Sequence, residues 1–190
     1  MRTFSVRPAL TIKGRTFKGL RGYAGKPFHP PLTDIPIAAY LLAATFDVIS
    51  GLADPDQTWA HELWHAATFV FLGGAAVSVL AAITGTVDWA TSTEKGTQAR
   101  RTANTHGLIM VTVTLLTVLD IVLRLSSYDD ATTPIGIAVL SVVIALLVSV
   151  GATYGGSLVF DYGFNVETAG DSPVWHASET DVLPGGHTSQ

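Results

Sequence analysis

Four apolar runs, about Ile35–Leu52, Leu63–Trp89, Thr105–Leu125 and Pro134–Phe160, leave this chain little choice but a bilayer. Each is near or above the roughly 20 residues that a helix needs to cross the hydrocarbon core. No water satisfies backbone N–H and C=O groups there, so segments of this length must cross as helices. Composition agrees, since 48% hydrophobic residues, 14% charged residues and a mean hydropathy of +0.39 exclude an ordinary soluble domain. The expected fold is an all-α integral membrane protein, a four-transmembrane-helix bundle.

The polar ends divide the chain into three parts. Residues 1–28 form a basic arm with Arg2, Arg7, Lys13, Arg15, Lys18, Arg21 and Lys26 and no acidic residue. Residues 29–166 form the four-span domain, and residues 167–190 an acidic tail rich in Gly, Ser and Thr, expected to be mobile or held by a partner. The arm lacks the apolar stretch and small-residue cleavage site of a signal peptide, so the first span is expected to stay as an uncleaved anchor. Lys95, Arg100 and Arg101 fall in the loop after the second run, whereas the loops around Asp54, Asp56 and Glu62 and around Asp129 and Asp130 are acidic. Because Lys and Arg accumulate on the cytoplasmic side, both termini are expected to be cytoplasmic. The arm's basic residues also suit anionic headgroups, so membrane lipid is an expected partner and nucleic acid is not.

With that topology every polar residue of the spans gains a depth, and ionisable groups at such depth are costly enough to mark function by default. His29, Asp34, Asp88, His106 and Tyr154 fall in the cytoplasmic half. Asp47, His61, His65, Asp120 and Arg124 fall in the outer half. On the third run, His106, Val113, Thr117, Asp120 and Arg124 share one helical face, which must look into the bundle. His61 and His65 lie one turn apart on the second run and can touch a common site. Pro30, Pro31 and Pro36 fix how the chain enters the first span and hence where His29 and Asp34 point. Gly74, Ser78 and Ala82, and Gly151 with Gly155, place small residues four apart, a spacing that lets helix backbones meet.

Three readings of these residues stand side by side. Two imidazoles at one depth on different helices can ligate a b-type haem, and His29 with His106 meets that condition. His65 is the outer ligand candidate, without a histidine partner on another span. Arg100, Arg101 and Lys26 are the candidates to neutralise propionates. The second reading is a divalent-metal or proton-handling site built from His61, His65, Asp47 and Asp120. In the third, the histidines and aspartates only tie helices together, with Arg124 paired to Asp120 or Asp47.

Other templates are absent. There is no GxSxG elbow, no GxxxxGK[ST] loop and no GxGxxG turn. The chain has no cysteine, which removes disulfides, thiolate zinc sites and cysteine-ligated clusters. His61-Glu62-Leu63-Trp64-His65 matches the H-E-x-x-H outline of zinc proteases. It would need a third ligand that the sequence does not select. No repeat at a solenoid period is visible.

The chain resembles a bacterial membrane family catalogued as domain of unknown function 2231. The residues that carry the resemblance are His29-Pro30-Pro31-Leu32-Thr33-Asp34-Ile35-Pro36, Ala81-Ala82-Ile83-Thr84-Gly85-Thr86-Val87-Asp88-Trp89, Arg101 through His106, Arg124, and Tyr154-Gly155-Gly156-Ser157-Leu158-Val159-Phe160 with Gly163 and Val166. The resemblance implies a four-helix protein of the bacterial inner membrane and brings no assigned reaction. It also implies an electron-transfer setting, because some relatives are joined to Rieske-type iron–sulfur domains. The expected function is therefore a redox-associated subunit without catalytic activity of its own, partnered by other membrane or redox proteins. The alternatives are a structural or assembly subunit of a membrane complex, and a divalent-metal or proton-handling protein.

Overall fold

The computed structural model describes Leu20 and residues 27–164. The acidic tail, and the basic arm apart from Leu20, Pro27 and Phe28, lie outside the described residues. Four helices follow one another: α1 (His29–Gly51), α2 (Thr58–Ser92), α3 (Gln98–Ser126) and α4 (Ile135–Phe160). All four are long and apolar enough to cross a membrane, as the apolar runs predict.

The helices outrun those runs at their polar ends for local reasons. α1 begins at His29 rather than near Ile35 because proline occupies its first turn, where the missing N–H would be unpaired anyway. Pro36 lies inside α1 and leaves one carbonyl without its helical donor. α2 has 35 residues, about 52 Å of helix at 1.5 Å per residue, against a hydrocarbon core of about 30 Å. Its two ends therefore reach into the interfaces or the helix tilts. α3 starts where the Thr97 side chain accepts a hydrogen bond from the Arg100 backbone N–H at 3.1 Å, a Thr N-cap. The turn before it is closed by Gly96 at φ 85° and by the Arg100 guanidinium, 3.8 Å from the Trp89 ring centroid.

α1 packs against α2 and α4, α3 packs against α4, and α2 and α3 barely touch. The core runs through Tyr40, Ala43, Ala67, Phe71, Val113, Ile144 and Val148. Close approach of α1 and α2 depends on Gly74, where a Cβ would stand 2.6 Å from that of Ala39. Outward, α3 presents Leu108, Val111, Leu115, Val118 and Val122, all more than half exposed. A continuous apolar stripe of this kind is stable in lipid and not in water.

The two helical hairpins bury equivalent positions. Pro36, Tyr40, Ala43 and Asp47 of α1 correspond to Val113, Thr117, Asp120 and Arg124 of α3, each 77 residues on (36 to 113). Ala67, Thr68, Phe71, Gly74, Ala75 and Ala81 of α2 correspond to Ile137, Ala138, Ser141, Ile144, Ala145 and Gly151 of α4, each 70 residues on (67 to 137). The bundle is thus two like halves that meet through α1 and α4, with the seam between α2 and α3 the least closed.

Candidate functional site

The polar groups gather at two ends of the bundle. At the first, His29 in the opening turn of α1 reaches across to α2, where its Nδ1 lies 2.9 Å from the Ala81 carbonyl oxygen. His106 of α3 reaches α4 in the same way, with Nδ1 2.9 Å from the Gly151 carbonyl oxygen. A carbonyl only accepts, so in each ring Nδ1 donates, which leaves Nε2 as the nitrogen that would ligate a metal. Each imidazole lies against a glycine one turn beyond its carbonyl. A Cβ on Gly85 would stand 2.6 Å from His29 Cε1, and one on Gly155 would stand 3.3 Å from His106 Cε1. The two rings then meet between the hairpins, centroids 6.3 Å apart and planes at 81°. Histidine, carbonyl and glycine occupy equivalent positions in the two halves, so each hairpin supplies one half of the site.

Of the other residues expected near this end, Asp34 is exposed and Tyr154 is 38% exposed. Asp88 accepts from the Leu20 backbone N–H, while its Oδ1 has no partner among the described residues. Arg100 donates to the Trp89 carbonyl and to Thr93, and Arg101 to Gln98 and the Gly96 carbonyl, so both close the α2–α3 turn. Lys26 lies outside the described residues.

At the second end a fully buried ionic cluster joins α1, α3 and α4. Arg124 donates to both oxygens of Asp47, to Asp120 Oδ1, and to the Ser141 hydroxyl at 2.7 Å. Ser141 donates to Asp47 at 2.7 Å and lies 3.3 Å from Asp120 Oδ2, and the Thr133 hydroxyl adds a contact to Asp47 at 3.3 Å. Asp47, Asp120 and Arg124 are each 0% exposed. The guanidinium carbon stands 4.5 Å from the Phe71 centroid and 5.2 Å from that of Trp64, so α2 lays aromatic faces against the cation.

The four residues of the metal reading do not come together. Arg124 takes both Asp47 and Asp120, whereas His61 and His65 turn to the α3–α4 connection. His61 Nδ1 lies 3.1 Å from the Asp130 carbonyl oxygen and His65 Nε2 lies 3.0 Å from that of Tyr128. His65 also stacks flat on the Tyr128 ring at 4.2 Å, and His61 lies 4.1 Å from His65. Among the described residues no three His, Asp or Glu side chains converge on one point. The H-E-x-x-H outline accordingly finds no third ligand there, and His65 faces no histidine of another span.

Ser141, Thr133, Ser50 and Trp64 are further parts of this end that no sequence motif marks. Trp64 is fully buried and donates its Nε1–H to the Tyr128 carbonyl at 3.2 Å. Ser50 ties α1 to α2 and to the last loop, donating to the Ala60 carbonyl at 2.7 Å and accepting from the Thr133 N–H at 3.0 Å. The usable signal is a serine in each of two apolar helices, Ser50 of α1 and Ser141 of α4, the latter one of three serines in that helix.

One family pattern, described as a predicted membrane protein (DUF2231), matches residues 25–168. The chain belongs to this family. The match spans all four helices and both polar ends, so the paired histidines and the buried ionic cluster lie within the family domain. Neither the comparison with curated proteins nor that with solved structures returns a match.

Proposed function

We propose that this DUF2231 member is a redox-associated subunit of the bacterial inner membrane that holds a b-type haem between His29 and His106. The observation that supports the reading is the pair of imidazoles, each fixed through Nδ1 and each keeping a free Nε2. His29 and His106 would hold the iron through Nε2, and their rings already stand close together, centroids 6.3 Å apart. The backbone carbonyls of Ala81 and Gly151 orient the rings and raise their basicity, the usual outer support of a ligating histidine. A haem bound there supplies one-electron transfer.

What the chain itself contributes is placement. The ligands come from separate hairpins, so each half would hold one side of the bound group. With both termini cytoplasmic, as the distribution of Lys and Arg favours, the histidine end lies in the cytoplasmic leaflet. Its redox partner is another membrane or membrane-bound redox protein, for which a Rieske-type iron–sulfur protein is the proposed class.

The test is haem content of the purified full chain produced in cells supplied with a haem precursor. About one haem per chain is expected, with His29→Ala and His106→Ala each losing most of the Soret absorbance and His65→Ala retaining it. Haem-free protein under those conditions would favour the second reading, a structural or assembly subunit. Both histidines already tie helix to helix through their Nδ1 hydrogen bonds, and that observation supports it.

A further inference from the structure

The ionic cluster at the other end does not balance its charge. Asp47 and Asp120 bring two carboxylates and Arg124 one guanidinium, so in their ordinary ionisation states the cluster carries one net negative charge. All three side chains are 0% exposed and lie inside spanning helices. An uncompensated charge at such a place costs several kcal/mol. Among the described residues, the elements around it offer no further cation. α4 contributes Ser141 and the loop before it Thr133, both uncharged. α2 contributes the rings of Trp64 and Phe71, while its His61 and His65 turn to loop carbonyls.

A second observation concerns Thr117, one turn before Asp120 on the same buried face of α3. It is 4% exposed, and its hydroxyl oxygen is buried without a hydrogen-bond partner among the described residues. Thr112 and Thr114 on the same helix return their hydroxyls to the carbonyl four residues earlier, whereas Thr117 does not. A buried hydroxyl without a partner, one turn along the same buried face from a carboxylate with spare lone pairs, is oxygen-donor chemistry for a small hard cation.

We propose that this cluster binds one monovalent cation, a sodium ion or a proton, at Asp120 beside the Thr117 hydroxyl. The bound charge brings two carboxylates and one guanidinium to neutrality. The site is separate from the histidine pair, and its test does not depend on haem.

The experiment is thermal unfolding of the detergent-solubilised full chain, at fixed ionic strength in sodium or choline chloride and across pH 5–8. Three proteins are compared: the native chain, Asp120→Asn and Thr117→Val. Asp120→Asn keeps an acceptor for Arg124 and removes the excess charge, so it is expected to fold and to respond to neither ion. If sodium is the ligand, the native Tm rises by about 5 °C from choline to saturating sodium, and Thr117→Val loses the rise. If the ligand is a proton, the native state binds more protons than the unfolded chain. Tm then climbs as pH falls, independent of sodium, and Asp120→Asn flattens the climb. A native chain whose Tm follows neither sodium nor pH, or follows either one unchanged in Asp120→Asn, overturns the proposal.

Discussion

Arg124 grips Asp47 across the bundle, and each stands 18 residues along its helix from a histidine, His106 to Arg124 and His29 to Asp47. Eighteen residues are five whole helical turns, about 27 Å at 1.5 Å per residue. Imidazole and charge therefore lie on one face of each helix, and the contact that pairs the charges at one end also aligns the imidazoles at the other.

Removing Arg124 should be among the most damaging single changes. Arg124→Leu leaves two buried carboxylates without their guanidinium, a loss of about 3–5 kcal/mol. Asp47→Asn should cost less, because an amide can still accept from Arg124 and Ser141. The order is read from Tm and monodispersity of the full chain in detergent. Equal stability of Arg124→Leu and the native chain would show that the cluster does not hold the halves together.

The glycines beneath the imidazoles predict a graded effect. Gly85→Ala puts a methyl 2.6 Å from His29 Cε1, which forces the ring off its seat, whereas Gly155→Ala puts one 3.3 Å from His106 Cε1. Haem content should fall steeply in the first and modestly in the second. The reverse order would mean that the rings are not seated where the structure has them.

At Gly74 the obstacle is backbone-fixed, the Cβ of Ala39 at 2.6 Å, so Gly74→Ala must separate α1 from α2. The expected loss is about 1–3 kcal/mol, seen as a lowered Tm with the optical properties of the histidine site retained. A neutral effect would show that the two helices are looser than this contact implies.

Trp64→Phe removes the indole donor to the Tyr128 carbonyl while keeping an aromatic face toward Arg124. A loss of about 1 kcal/mol is expected, and about 3–5 kcal/mol for Trp64→Ala, which also opens a cavity. Thermal unfolding of the two variants separates the hydrogen bond from the packing.

The four spans and the shared face of α3 were readable in the sequence because apolar length and helical period are local properties. So was the common depth of His29 and His106, which the charge of the loops alone supplied. The partner of Asp47 was not readable between metal and helix tie, since spacing along one helix does not say which side chain of another reaches it. In the structure Arg124 takes both carboxylates. α1 began earlier than its apolar run because proline in a first turn costs nothing that the helix had not already lost. The likeness of the two halves is not legible in the sequence because it lies in buried positions rather than residue identities, and because its offset shifts from 77 to 70 between the first and second helix of each hairpin.

His29 and His106, one from each half, would together hold one haem iron, and carbon monoxide tests that pairing directly. The reduced full chain is predicted to show a low-spin b-type spectrum that carbon monoxide leaves unchanged, whereas the small amount of haem that His106→Ala retains is predicted to take up the gas. A reduced spectrum that shifts on addition of carbon monoxide to the native chain, or a chain that takes up no haem, would contradict it.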